Sequence, residues 1–356
     1  MVQNNDRIFY ACQGVAIQKH GYASSDVTTS EMVHGLQSVG VTTNFSLEQA
    51  FELGQIEIYE NIEGTPDVEV TLEKVLDGYP LIYHMATIGV AGGPSGLANR
   101  SKQRADVRLG IFPEESNFIN STSAAAGAPA EVYMSGMYVS SVSYNLSTDG
   151  SSTESVTLVG NNKEWIVDQS KMHITTNGET FGTQENFSST TDASEPKALT
   201  MASGGIQRRE NVLLSRCIFP SKIYGMNGAG VGNAWDASIQ APRVHIQNVS
   251  ISTDFSREDI LELGRKTPYY RAPGFPIEVT CDIEAIAISG DFIGAYEGGD
   301  PAFFTAGNKA SGDNTGEEAI KIILQDGTCF NLGSGNRLSS VSYGGGDATG
   351  GNVSIS

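Results

Sequence analysis

A mainly β chain built from two copies of one domain, each with one short α-helix, is the fold the sequence predicts. Three observations carry that expectation. First, residues 36–54 are written again at 246–264, with identities at Gln37/Gln247, Val39/Val249, Thr43/Thr253, Phe45/Phe255, Ser46/Ser256, Glu48/Glu258, Glu52/Glu262, Leu53/Leu263 and Gly54/Gly264. The echo continues from Gly64-x-Pro66 to Gly274-x-Pro276, and Ser140-Ser-Val-Ser-Tyr144 recurs letter for letter at Ser339–Tyr343. Matches in one order along a chain are the mark of duplication. Second, only 18% of residues are charged while 41 are glycine, a balance that suits strands and turns better than helical bundles. Third, Val68–Glu73 and Ile277–Glu284 alternate apolar with acidic or hydroxylated residues, the period of a strand with one dry face and one wet face.

The first copy spans 1–165 and opens on a β-like run at 7–18. The repeated segment comes next, and its second half predicts a helix in each copy. Ser46 and Ser256 stand as N-caps, with Gln49 and Asp259 three residues on, and Phe45 and Phe255 are placed to staple onto Ala50 and Ile260. Gly54 and Gly264 then serve as left-handed C-caps. The acidic strand at 68–73 comes next, followed by a Gly-rich loop at 92–96 and strands at 105–112 and 133–144. A hairpin signal at Asp149-Gly150 leads into the closing strand 154–159. Residues 166–204 predict a Ser/Thr/Gly-rich linker or surface loop. The second copy, 205–356, has strands expected at 211–224, 243–252, 276–289 and 320–330, and a Gly-rich close.

The formal net charge is −19, which argues against a protein that grips nucleic acid, since phosphate binding needs Lys and Arg. No stretch reaches the ~20 apolar residues of a membrane span, and the N-terminus lacks the apolar core of a signal peptide, so a soluble, non-exported protein is expected. The four cysteines show no Cys-x-x-Cys spacing. Cys281 falls on the apolar phase of its strand, where the first copy has Leu72, and is expected in a core. Cys12, Cys217 and Cys329 are open to either free-thiol or cross-linked states. The five histidines lie in no metal-binding or nucleophile-elbow context, and Gly92–Gly96 lacks the Lys-Ser/Thr of a phosphate loop. No catalysis, metal or cofactor is expected.

The run Asp254-Phe-Ser-Arg-Glu-Asp-Ile-Leu-Glu-Leu-Gly-Arg-Lys-Thr-Pro-Tyr-Tyr-Arg-Ala-Pro-Gly-Phe-Pro-Ile-Glu-Val-Thr280 resembles tail-tube and related virion structural proteins of long-tailed bacteriophages, and Asn44–Thr71 resembles a drifted copy of it. The resemblance implies a β-barrel or β-sandwich unit with a flanking helix, six of which close a ring that stacks into a hollow tube for DNA ejection. It also implies assembly in the bacterial cytoplasm, residence in the virion, and sheath, baseplate or terminator proteins as partners, with DNA passing through unbound. Two barrels per chain then give three chains per ring with pseudo-sixfold symmetry, with a hexamer whose second domain decorates the outside as the alternative. After the repeated segment the copies differ in sign. Glu57, Glu60, Glu63 and Asp67 face a comparable stretch with Arg265, Lys266 and Arg271, so these residues are expected at ring or stacking contacts between copies. Glu69, Thr71, Glu73, Glu278, Thr280, Asp282 and Glu284 form the acidic strand faces and are expected to line the lumen. The other readings are a baseplate hub or tail terminator that stops at one ring, and a monomeric carbohydrate-binding or adhesin module presenting Tyr269, Tyr270 and Phe275.

Overall fold

The computed structural model describes residues 13–20, 31–54, 56–87, 97–111, 130–167, 205–214, 216–219, 235–236, 241–242, 245–286, 319–337, 339–340, 342–344 and 354–355. They are mainly β. Contacts divide the chain into two compact units that do not follow chain order. The first holds residues 1–143, 153–195 and 252–278, and the second holds 144–152, 196–251 and 279–356. The Gly-rich loop at 92–96, most of the 166–204 segment and Cys12 lie outside the described residues.

In the first unit, β1 (Gln13–Lys19) pairs antiparallel with β2 (Glu31–Met32) on one edge. The long hairpin of β3 (Leu36–Ala50) and β4 (Glu60–Val75) follows. After α1 (Ile82–Ala86) and α2 (Leu97–Arg100) come β5 (Ala105–Ile111), β6 (Ala130–Ser147), β7 (Thr153–Gly160) and β8 (Glu164–Ile166). The pairing order β3–β4–β7–β6–β5–β1–β2 is antiparallel at β3–β4, β4–β7, β5–β6 and β1–β5, and β8 lies along the start of β6. The period-two signal set this architecture. On β4, Val68, Val70 and Leu72 are completely buried and sit opposite Gly160, Leu158 and Val156 of β7, while Glu69 and Glu73 point to water. The predicted strands at 105–112, 133–144 and 154–159 appear as β5, β6 and β7, and Gly150 takes the positive φ (95°) of the expected hairpin turn.

Charged groups buried here are matched by partners. Arg108 pairs with Glu131 between β5 and β6. Asp106 accepts from Tyr133 Oη (3.0 Å) and the Gly136 amide (2.8 Å), with His20 Nδ1 2.7 Å away. Glu154 on β7 accepts from the amides of Ile82 (2.7 Å) and Tyr83 (3.1 Å), so a carboxylate from another strand satisfies the opening of α1 in place of a local cap.

In the second unit, β9 (Trp235–Asp236) pairs with β10 (Ala241–Pro242). Strand β11 (His245–Asp254) runs up to Ile251 within this unit. Two short strands, β12 (Glu258–Ile260) and β13 (Tyr270–Ala272), lie in residues 252–278 and so belong to the first unit. Strands β14 (Val279–Ile286), β15 (Lys321–Ile323), β16 (Cys329–Asn331), β17 (Tyr343–Gly344) and β18 (Ser354–Ile355) complete the second. Its small core joins Phe219, Ile322, Leu324 and Phe330, with the Phe330 ring 4.7 Å from that of Tyr144.

Several expectations are corrected. The segment 320–330 is a hairpin, β15–β16, because Asp326 caps the amide of Thr328 (2.8 Å) and Gly327 takes φ 90°. In place of a strand at 211–224, the described residues make a 3-10 turn at Arg209–Asn211 and isolated bridges Val212↔Leu324 and Ile218↔Lys321. Strand β15 stands between Cys217 and Cys329, and both are free thiols. Cys281 is a half-buried free thiol, not a core one, and desolvation raises it to about 11.

The largest correction concerns the repeat. Neither copy forms the predicted helix. Residues 36–50 continue as one strand across Ser46, and 258–260 is again a strand. Ser46, Gly54, Ser256 and Gly264 are therefore hairpin residues, not helix caps. Phe45, Leu47, Phe51 and Leu53 fall at every second position apart from Gln49, and cross-strand pairing uses that period in preference to the capping pattern.

Candidate assembly surface

Two hairpins built from the repeated segment form this surface. In the first, Ala50 pairs with Glu60, and the Tyr59 amide donates to the Ala50 carbonyl at 2.9 Å. In the second, Ile260 pairs with Tyr270, and the Tyr269 amide donates to the Ile260 carbonyl at 2.9 Å. Gly54 (φ 98°) and Gly264 (φ 90°) turn the two tips in the left-handed region that favours glycine. At the bases, a Cβ on Gly64 would stand 2.7 Å from the Ser46 carbonyl oxygen, and one on Gly274 3.1 Å from that of Ser256. The first hairpin slips register between Phe45 and Leu47, and Ser256 takes φ 43° at the matching place. Turn, closing hydrogen bond and base thus agree between the hairpins.

The tips carry large apolar side chains into water. Leu53, Ile56 and Leu263 are fully exposed, and Leu47, Phe51, Tyr59, Leu261 and Tyr269 are largely so. From Asn44 to Asp67 the first hairpin lies beyond the β4–β7 pairing, which begins at Val68.

The bases differ. Phe255 is completely buried, its amide donating to the Ser140 carbonyl (2.8 Å) and its ring stacked near Tyr83 at 6.3 Å and 10°. Arg257 donates from Nε (2.8 Å) and Nη2 (2.5 Å) to the Val139 carbonyl, and its guanidinium lies over the Tyr138 ring at 5.0 Å. Desolvation lowers Arg257 to about 10, which leaves it charged at neutral pH. Phe45 remains 66% exposed.

Of the charged residues expected at contacts between copies, Glu57, Glu60, Glu63, Asp67, Arg265 and Lys266 are exposed. Arg271 is buried. Its Nη2 binds Asp67 Oδ1 at 2.6 Å and its Nε lies 2.9 Å from Asp259 Oδ1, so the acidic and basic stretches meet at this pair inside one chain. Thr65 Oγ1 also donates to the Lys266 carbonyl. Arg265 pairs with Glu262 at 3.3 Å. Among the residues expected to line a lumen, Glu69, Glu73, Glu278, Thr280 and Asp282 are exposed, and Thr71 and Glu284 are half-buried. Of the rings expected for a sugar platform, Tyr270 meets Tyr138 edge-on at 5.9 Å, and Tyr269 and Phe275 are exposed. Sequence reasoning missed the apolar tips and Arg257; alternation through Phe45–Leu53 was the available signal for the former.

No protein-family model and no curated protein matches the chain. Among solved structures it is similar to the tube-terminating cap of the anti-feeding prophage, at TM-score 0.33 and 12% identity over 47% of this chain and 96% of that one. It is likewise similar to a chain from the sheath–tube complex of an extracellular contractile injection system (TM-score 0.32, 10% identity, 47% and 95%). The same holds for Hcp protein (TM-score 0.22, 12% identity, 44% and 98%). At such identities and TM-scores the likeness by itself assigns no role.

Proposed function

We propose that this chain is a structural subunit of a tail tube that associates with its own kind into stacked rings around an acidic lumen. The observation that carries this reading is the pair of matched hairpin arms whose tips hold Phe51, Leu53, Ile56, Leu261 and Leu263 in water. Clustered exposed apolar side chains of that size mark a surface that is covered in the working state. The wet face of β4 presents Glu69 and Glu73, that of β14 presents Asp282, and each is an acidic strand face this reading assigns to a lumen; the net charge of −19 suits a conduit that lets DNA slide without gripping it. Two tube-like copies, at 1–165 and 205–356 and joined by 166–204, make three chains per ring the natural stoichiometry. Sheath, baseplate or terminator proteins of the same tail are the further partners, and the virion is the final location.

Negative-stain microscopy of the purified chain tests the proposal. Stacked rings with threefold mass periodicity are expected, and the double variant Leu53→Asp, Leu263→Asp abolishes them. Single rings without stacking replace the tube by a hub or terminator. A monomer at all concentrations ends the assembly reading.

A further inference from the structure

The two arms surround like apolar tips with unlike charge. From Leu47 to Glu63 the first arm holds Glu48, Glu52, Glu57, Glu60 and Glu63 and no lysine or arginine, and all five side chains are exposed. The second arm places Arg265 and Lys266, both exposed, directly after its turn glycine, with the Arg265 guanidinium 5.8 Å over the exposed Tyr269 ring. Inside one chain the second arm reaches only the base of the first. The Lys266 carbonyl, just past the turn at Gly264, accepts from Thr65 Oγ1 at the end of the first arm far from Gly54, and Arg271 binds Asp67 at 2.6 Å. The first arm therefore runs on past the tip of the second, and Leu53, Ile56 and Glu57 around its own turn stand in water.

We infer that the tip of the first arm docks on the tip of the second arm of another copy of this chain, with Glu57 and Glu60 against Arg265 and Lys266. The inference rests on the self-assembly reading and names which arm covers which. Charge selects the occupant. Two first arms laid together would set five carboxylates against five, and like charges facing across an interface disfavour that pairing. A second arm brings cations on the matching side of its turn, and its Leu261, Leu263 and Tyr269 take Leu53 and Ile56 out of water. The Asp67–Arg271 pair already joins the two arms by the same chemistry within a chain. Apolar contact supplies the strength, and the exposed charges decide which arm is accepted. Each copy gives one acidic arm and receives one on its basic arm, a heterologous contact that closes a ring or propagates along a stack.

Charge reversal at low salt tests the pairing. Glu57→Lys with Glu60→Lys, and separately Arg265→Glu with Lys266→Glu, are each expected to raise the critical concentration for assembly by about fivefold or more. Both keep the wild-type urea midpoint, because all four side chains are exposed. Mixed in equal amounts, the two variants regain assembly, since the basic first arm of one meets the acidic second arm of the other and the remaining arms pair as in the wild type. A second measurement uses the unaltered chain and does not depend on how the variants fold. Isotope-labelled and unlabelled copies are co-assembled and treated with a carbodiimide, which joins a carboxylate to an amine in contact with it. A link from Lys266 to Glu57 or Glu60 between one labelled and one unlabelled peptide is expected by mass spectrometry. Wild-type rings that form without that link, assembly that tolerates either reversal, or a mixture that stays unassembled overturns the pairing and leaves the self-assembly reading standing. Wild-type protein that never assembles overturns both.

Discussion

Glu154 shows how one residue can replace a missing local signal. Residue 81, just before α1, is a leucine and provides no side-chain cap, so the helix depends on a carboxylate delivered from β7 to the Ile82 and Tyr83 amides. Glu154→Ala strands two buried donors and is expected to cost about 3 kcal/mol, with Glu154→Gln costing about half, read as a lower urea midpoint at unchanged slope. His84 makes a second prediction. Desolvation pushes its imidazole down to about 4, and the Arg100 charge adds to the effect. A base whose folded value lies below its unfolded value near 6.5 stays neutral in the fold, while the unfolded chain takes the proton first. Stability is therefore held above pH 6.5 and lost as pH falls from there toward 4, by up to about 1.4 kcal/mol per unit, less for the part of the ring that water reaches. His84→Gln should flatten that stretch of the denaturation-midpoint profile. A slope unchanged in the variant would assign the acid sensitivity elsewhere.

At the scale of elements, the strands with one apolar and one polar face were legible, because burial enforces their alternation: Val68, Val70 and Leu72 could only point inward. The arms were misread as helices because Ser46-Leu-Glu-Gln49 and Ser256-Arg-Glu-Asp259 satisfy a local capping rule, whereas the hairpin depends on pairing Phe45 with Pro66 and Leu47 with Glu63 across a turn. Local chemistry cannot see that pairing. The burial of Phe255 was illegible for the same reason, since it joins the residue just after β11 to a main-chain carbonyl of β6, and carbonyls carry no sequence signature. Only the glycines survive both readings, as Gly54 and Gly264 need positive φ in either. Gly54→Val with Gly264→Val should speed hydrogen exchange at the Tyr59 and Tyr269 amides while core amides of β4 and β7 keep their protection, because tip strain of about 1–2 kcal/mol per site falls on parts that open alone.

For the whole molecule, like charge opposes association. Copies with a net charge of −19 repel, and the few cations near the contact surface matter for register more than for strength. Arg271 is committed internally to Asp67 and Asp259, which leaves Arg265 and Lys266 as the exposed positive pair of the second arm. Reversing both to Glu is expected to slow polymerisation measured by light scattering several-fold in low salt, with the gap narrowing as ionic strength rises, and to leave the thermal midpoint within about 2 °C. Equal scattering curves for variant and parent would remove the charge role.

Strand β3 alone runs 15 residues, roughly 50 Å at the usual rise, and its far end is exposed at every residue from Asn44 to Gln49. A finger of that length invites proteolysis. Brief chymotrypsin treatment of dilute protein should nick beside Phe51, Leu53 or Tyr59 and give two fragments that stay together until denatured, since the cores on either side are untouched. Once the fingers are engaged in a particle the same enzyme finds no purchase, so the ratio of cut to intact chain becomes a clock for assembly that needs no microscope.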